Sequence, residues 1–268
     1  MEITKKSKTV FGTREWAAEN FNFINGCKHD CKYCYSKAMA IRFGRKTSKT
    51  WTIEEIREKD LNKNITKKKK VVMFPSAHDI TPDHLAESLI VIKKLLKART
   101  KVLIVTKPHY ECIKKICEKY KKYTDKILFR FTIGSSDSDI LKYWEPGAPS
   151  FEERLKCLKY AYKSGFQTSV SCEPMLDNNI GIVIKKVLPY VTDAIWLGKA
   201  NFLLGRLKIN KCNDKQTIRK ALKIIAWQSD KNIKKLYKKY NKDKKIKWKD
   251  SIKKILKLSR PDKIGLDM

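Results

Sequence analysis

Short apolar runs alternate with longer amphipathic stretches along most of this chain. Six runs read as strands: Phe21–Ile24, Val71–Phe74, Val102–Thr106, Ile127–Ile133, Thr168–Ser171 and Ala194–Leu197. Their shortness and their β-branched or aromatic content favour buried parallel strands over helices. Between them lie helical patterns. Pro82–Ala98 sets Leu85, Leu89, Ile92 and Leu96 at helical spacing, with Pro82 in the first turn after Thr81. His109–Tyr120 and Phe151–Lys163 behave similarly; the latter opens on a Ser150-x-x-Glu153 capping box and stops at Ser164-Gly165. A further helix is predicted over Ile180–Leu188, ending at Pro189. The alternation predicts an α/β fold with a parallel sheet, and fits a partial barrel and a doubly wound sheet equally well.

The pattern changes near Gly205. Gln216–Trp227, Asn232–Tyr240 and Trp248–Leu258 read as basic amphipathic helices, with Asn241–Lys247 a lysine-rich break between the last two. The Lys67–Lys70 run reads as a solvated loop before the second strand. No internal repeat is visible. The expected division is therefore a core over 1–204 and a basic helical extension over 205–268.

Length and composition narrow the class. The chain has 268 residues and is 42% apolar, enough for one large α/β domain or a domain plus an appendage. No apolar run approaches the roughly 18–20 residues of a bilayer span, and no signal-peptide pattern opens the chain. A soluble cytoplasmic protein without a membrane partner is expected, in a reducing compartment where its cysteines stay unpaired. The formal net charge is +33, and residues 206–268 carry 22 Lys/Arg against 6 Asp/Glu. Such clustering points to a polyanionic partner, most simply DNA or RNA. An AT-rich genome would also inflate lysine, so the surplus alone does not establish that partner.

The chemistry-bearing motif is Gly26-Cys27-Lys28-His29-Asp30-Cys31-Lys32-Tyr33-Cys34-Tyr35. Three thiolates at Cys27-x3-Cys31-x2-Cys34 can hold three irons of a 4Fe–4S cluster and leave the fourth iron without a protein ligand. A structural zinc site usually needs four ligands, often as two separated pairs. Here only one C-x2-C pair exists, His29 sits too close to Cys27 and Cys31 to complete a tetrahedron easily, and the other five cysteines are scattered singly.

The motif, with Tyr33 just before its last cysteine, resembles the signature of the radical S-adenosylmethionine (SAM) superfamily. The resemblance implies a partial (β/α)6 TIM-type barrel, with chemistry at the C-terminal ends of the strands. It also implies two cofactors, a 4Fe–4S cluster and SAM, and an external one-electron reductant. The cluster cleaves SAM reductively to a 5′-deoxyadenosyl radical. The wider context is similar to the spore photoproduct lyase-like branch over about residues 16–200. Its further matches are Ala38 and Arg42, Pro75-Ser76-Ala77-His78-Asp79, Thr106-Lys107-Pro108, the Pro146–Pro149 loop before Arg154, and Ser171-Cys172-Glu173-Pro174.

Site candidates follow from the strand ends. Cys27, Cys31 and Cys34 are the cluster ligands. Lys107 offers a lone cation for the SAM carboxylate, the role the lyase-like family gives such a lysine. Ser76, Thr132 and Ser171 offer short hydroxyls for the amino-acid and ribose groups, and Tyr33 can contact adenine. His78 and Glu173 lie at the expected mouth as proton-handling or substrate groups. Asp79 beside them could share that work or cap the following helix. Tyr143, Trp144, Trp196, Lys199 and Asn201 could stack a base and hold its phosphate, or close a hydrophobic lid.

Two departures from that branch stand out. The lyases place a hydrogen-donating cysteine directly after the second strand, where this chain has Ser76-Ala77-His78; Cys172 is the candidate substitute. They also end in a β-hairpin that engages damaged DNA, whereas this C-terminal segment reads as helices. The resemblance thus carries the radical-generating core and does not carry thymine-dimer repair. Three functions stay open: a radical SAM enzyme modifying or repairing nucleic acid, one acting on a peptide or small metabolite, and a non-enzymatic zinc-containing nucleic-acid-binding protein. No seven-cysteine auxiliary-cluster domain supports the peptide version.

Overall fold

The computed structural model describes residues 10, 12–66, 70–261 and 263–265. The elements run β1 (Glu19–Asn20), β2 (Ile24–Asn25), α1 (Tyr35–Arg42), β3 (Glu55–Ile56), α2 (Glu58–Leu61), β4 (Val71–Phe74), α3 (Leu85–Lys97) and β5 (Lys101–Thr106). They continue with α4 (Tyr110–Lys119), β6 (Ile127–Thr132), α5 (Ser138–Trp144), α6 (Phe151–Lys163), β7 (Gln167–Cys172), α7 (Ile180–Val187) and β8 (Ile195–Leu197). The last quarter forms α8 (Leu203–Ile209), α9 (Lys215–Trp227), α10 (Asp230–Tyr240), β9 (Ile246–Trp248) and α11 (Asp250–Leu256). Seven strands make one parallel sheet in the order β1-β4-β5-β6-β7-β8-β9, and β2 pairs with β3 antiparallel. This is the α/β partial barrel expected above. Lys67, Lys68 and Lys69 of the lysine run lie outside the described residues.

Pleat parity divides the core. Val102, Ile104, Phe129, Phe131, Val170 and their equivalents face the helices and join their apolar stripes in one large cluster. Met73, Leu103 and Trp196 point the other way and pack with Trp16, Ala17 and Ala194. Arg130 lies among them, fully buried. Its guanidinium carbon is 4.5 Å from the Trp16 ring and 5.2 Å from the Trp196 ring, while Nε donates to Ser169 Oγ at 3.0 Å. Asp193 pairs with it at 2.9 Å. The concave side is thus a packed core rather than a pore. Burial lowers the Arg130 pKa to about 10, although Asp193 opposes the shift.

Three elements differ from the sequence expectation: Ser138–Trp144, read as a loop, forms α5, and the first and last strands differ as well. The first strand ends earlier than Phe21–Ile24: Glu19 and Asn20 pair with Val72 and Met73, and Phe21 N–H still reaches Met73 O at 2.9 Å. The chain then leaves the sheet because Asn22 Oδ1 accepts the N–H groups of Ser76 and Ala77 at 2.7 and 2.8 Å. The lysine-rich break contains the start of a seventh strand. Ile246-Lys247-Trp248 pairs in register with Ile195-Trp196-Leu197, and its brevity between lysines hides it from periodicity.

Edge strands β1 and β9 are joined through side chains. Lys249 Nζ, almost wholly buried, lies 2.9 Å from Glu15 Oε1 and 3.5 Å from Glu173 Oε2, and donates to Gly12 O at 3.2 Å. Asp250 N–H donates to Glu15 Oε2 at 3.2 Å. Trp248 is 7% exposed and packs on Tyr237 at 5.2 Å between ring centroids. Trp248→Ala should therefore cost about 3–5 kcal/mol in urea unfolding. Leu222→Ala, at a position 50% exposed on α9, should stay within about 0.5 kcal/mol. Equal effects of the two would contradict a docked seventh strand.

Candidate radical SAM site

The cysteine loop is shaped by its backbone. Gly26 sits at φ +103°, and a Cβ there would meet Ile53 O at 2.5 Å, so only glycine lets the chain pass. Cys27 N–H then bonds Trp51 O at 2.9 Å. Asp30 turns the chain at φ 44°, its N–H donating to Cys27 O at 3.3 Å, and Cys34 N–H donates to Cys31 O at 3.0 Å. Cys34 caps α1 by accepting Lys37 N–H on its sulfur at 3.4 Å. Burial above all holds the Cys27 and Cys31 thiols above the usual range; the Asp79 charge adds to it at Cys27 and Glu145 at Cys31, ahead of the neighbouring cysteines. Lys107 opposes that shift at all three cysteines.

The loop's back is held by groups distant in sequence. Lys32 N–H donates to Trp144 O at 2.9 Å, and Gly147 N–H to His29 O at 3.1 Å; a Cβ on Gly147 would collide with Lys28 O. Tyr33 OH donates to Glu145 Oε1. The other oxygen of Glu145 takes Arg154 at 2.5 Å, both side chains being fully buried. Arg154 also donates to Pro149 O at 2.9 Å and Thr132 O at 3.1 Å. From α8, buried Asn210 donates its amide to Lys32 O at 2.9 Å and Cys34 O at 3.0 Å.

Asp79 gathers the groups facing the triad. Its Oδ1 accepts from Thr106 Oγ1 at 2.7 Å and Lys107 N–H at 2.6 Å. Its Oδ2 lies 3.4 Å from Lys107 Nζ and 2.9 Å from His29 Nδ1. His29 Nε2 in turn lies 2.8 Å from His109 Nε2. Burial works against the Asp79 charge, but Lys107, His29 and these hydrogen bonds outweigh it and hold the carboxyl well below its usual value.

The structure brings together some candidates and separates others. Tyr33, Lys107 and the cysteines share one pocket of charge. Thr132 and Ser171 stand opposite each other at the ends of β6 and β7, both buried. Ser76 Oγ accepts from Asn22 Nδ2 at 3.0 Å, and its carbonyl accepts from Tyr35 OH. Glu173 is turned toward Lys249, against Gly198, where an added Cβ would leave only 2.7 Å to its Cγ. Cys172 is fully buried on the helix-facing side of β7, which separates its thiol from the mouth. His78 is wedged edge-on against Phe23 and Phe74, accepting Phe23 N–H at 3.4 Å. Trp196 is fully buried against Trp16 at 5.5 Å, so no face of it is open for a base.

Trp144 is buried, whereas Tyr143 carries Lys32 and Lys220 over its ring at 4.8 and 4.5 Å and bonds Thr217 Oγ1 at 2.6 Å. Lys199 and Asn201 lie half-buried in the loop after β8, with Lys199 N–H donating to Ser251 Oγ at 3.1 Å. Sequence reasoning did not single out the contacts of His29 and Glu145, nor Asn210 at all. The available signal was weak: His29 is a polar residue placed between two cluster cysteines.

The chain belongs to the radical SAM superfamily: the family model described as Radical SAM superfamily matches residues 21–179. It is 27% identical over 176 residues to the uncharacterized protein ORF301 of Acidianus two-tailed virus, covering 61% of this chain and 57% of that one. It is 25% identical over 170 residues to the uncharacterized protein MJ0683 of Methanocaldococcus jannaschii, covering 62% and 64%. The chain thus spans less than two thirds of each relative. In fold it is similar to spore photoproduct lyase complexed with dinucleoside spore photoproduct, with TM-score 0.53, 14% identity, and 78% and 64% of the two chains covered. It is likewise similar to Streptococcus suis SuiB bound to precursor peptide SuiA, with TM-score 0.55, 12% identity, and 91% and 51% covered. No helix among the described residues is long and apolar enough to cross a membrane.

The superfamily's cofactors are a 4Fe–4S cluster and SAM, and the residues present fit them. Three soft thiols converge in a buried loop, and coordination by iron would stabilise the thiolates that burial disfavours. Cys212 donates its thiol to Asn210 O at 3.5 Å instead. Cys27, His29 and Asp79 also place one ligand atom each within 4.8 Å of one another. However, Asp79 is already neutralised by Lys107, and His29 is engaged by Asp79 and His109. A dication there would face the lysine.

His78 supplies a pH test. Burial lowers its pKa to about 4, while the Asp79 carbonyl beside Nδ1 opposes the shift. The unfolded chain binds a proton on this imidazole near pH 6.5, and the folded one resists until about pH 4. Stability from this group is therefore present above pH 6.5 and is lost as pH falls toward 4. His78→Gln should flatten the acid limb of urea-unfolding stability between those values. An unchanged slope would contradict the buried neutral imidazole.

Proposed function

We propose that this chain is a radical SAM enzyme whose substrate is a nucleic acid, attacked by hydrogen abstraction from a nucleotide at the barrel mouth. When bound, the cluster and SAM supply a 5′-deoxyadenosyl radical after one electron from an external donor. Cys27, Cys31 and Cys34 would hold the cluster. Lys107, kept charged and oriented by Asp79, faces the triad and offers a cation to the SAM carboxylate. Thr132 and Ser171 present paired hydroxyls at neighbouring strand ends for the polar groups of SAM. The buried Tyr33–Glu145–Arg154 chain excludes water behind the loop.

The observation that carries the nucleic-acid reading is where the basic segment sits. The stretch from residue 205, read as an extension of the core, begins with α8 lying against α1, and Asn210 grips the cysteine loop. The most cationic quarter of the chain thus starts at the cluster-bearing end. Fold likeness does not choose the substrate: one neighbour is complexed with a dinucleoside and another is bound to a peptide. Charge favours nucleic acid, because a surface this basic concentrates polyanions.

Anaerobically reconstituted protein should form 5′-deoxyadenosine under reduction, faster with mixed tRNA or DNA than without, and Cys31→Ala should form none. Nucleic-acid affinity should fall by about 10³ or more between 50 and 200 mM salt if six or more phosphates are contacted. Turnover indifferent to nucleic acid, or binding flat with salt, would overturn the substrate assignment and leave a peptide or small molecule.

A further inference from the structure

Phe202 breaks two rules at once. It is 85% exposed, and its backbone lies in the left-handed region at φ 51°. Among the described non-glycine residues with positive φ, the others are Asp30, Arg99, Lys211 and Lys257, none of them aromatic. A bulky residue in that conformation is strained, and such outliers persist where the surroundings impose them.

The surroundings here are firm. Ala200 N–H donates to Gln228 Oε1 at 2.8 Å, and buried Gln228 also reaches Met175 O at 2.7 Å. Asn201 N–H donates to Lys199 O at 3.0 Å, and Arg206 N–H closes the next turn on Phe202 O at 2.9 Å. The backbone after β8 is therefore pinned on both sides of Phe202, whose ring stands exposed at the C-terminal end of the barrel.

Arg206 stands four residues on, in the first turn of the helix that Phe202 caps. It is half-buried and within electrostatic reach of Cys34, Tyr33, Tyr35 and Glu173. No hydrogen bond or ion pair among the described residues holds its guanidinium. One turn later Asn210 touches the cysteine loop, which sets this face of α8 beside the cluster ligands.

We propose that Phe202 and Arg206 form a subsite for one nucleotide of a single strand, the ring stacking on the base and the guanidinium taking the adjoining phosphate. This rests on the nucleic-acid reading above. An aromatic face tolerates any base, and a planar cation four residues away suits the phosphate spacing of a strand drawn across the mouth.

The test is a binding cycle on the anaerobically reconstituted full chain, using labelled single-stranded oligonucleotides, intact or with abasic sites, read by fluorescence anisotropy. Phe202→Ala should weaken binding of the intact strand by about 5- to 150-fold, the span of a single base–aromatic stack. It should leave the abasic strand within about twofold, and Phe202→Trp should bind as the native chain does. Arg206→Gln should lower the slope of log affinity against log salt by about one. Equal binding by Phe202→Ala and the native chain would overturn the subsite while leaving the nucleic-acid reading intact. Weakened SAM binding by Phe202→Ala, with oligonucleotide binding unchanged, would reassign the ring to the cofactor's adenine and overturn the proposal. No binding of any strand by the native chain at low salt would overturn the nucleic-acid reading and the subsite with it.

Discussion

The buried ion pair between Arg154 and Glu145 is the interaction on which the site depends. Two charges removed from water cost several kcal/mol each, and they persist only when their remaining hydrogen-bonding capacity is filled. Here it is filled by Tyr33 OH on one side and by the carbonyls of Pro149 and Thr132 on the other. The arrangement ties three parts of the chain that share no sequence proximity: the cysteine loop, the end of β6 and the start of α6. The cysteine loop has few apolar side chains of its own to anchor it. Directional contacts to Glu145, Trp144 and Gly147 do that work instead.

A second hub lies on the opposite side of the loop. Asp79 takes hydrogen bonds from Thr106 and Lys107 and sits beside His29, so β4, β5 and the cysteine loop meet on one carboxylate. Lys107 gains an orientation from it, and the triad gains a nearby cation. The two hubs together explain how a loop without regular structure can present three thiols in one fixed relation. On the far edge, Lys249 joins Glu15 and Glu173 and brings the seventh strand's end to the N-terminal segment.

The strands from β4 to β8 were legible as apolar runs, and helices α3, α4, α6 and α7 by their helical spacing, whereas the short α5, with Tyr143 and Trp144, read as part of a loop. The Ser150 cap is present as its motif implies, accepting Glu153 N–H at 3.3 Å. Strand β9 was not legible: three residues between lysines carry no period. The cysteine ligands were legible from spacing, since their chemistry requires it. Their supports were not, because Tyr33 and Glu145 are 112 residues apart and Asn210 reaches the loop from 176 residues away. Trp196 and Cys172 show a different limit. Cys172 ends β7 and Trp196 lies within β8, but pleat parity sends Trp196 into the barrel and Cys172 into the helix layer, and one residue of register decides which.

The central claim is that Cys27, Cys31 and Cys34 hold a 4Fe–4S cluster with one iron left open to SAM. Electron paramagnetic resonance of the reduced, anaerobically reconstituted chain, with and without SAM and alongside iron and sulfide analysis, tests it most directly. The account predicts about four irons and four sulfides per chain, a signal that changes on adding SAM, and loss of both in Cys31→Ala. Zinc in place of iron, or an iron–sulfur signal indifferent to SAM, would contradict it.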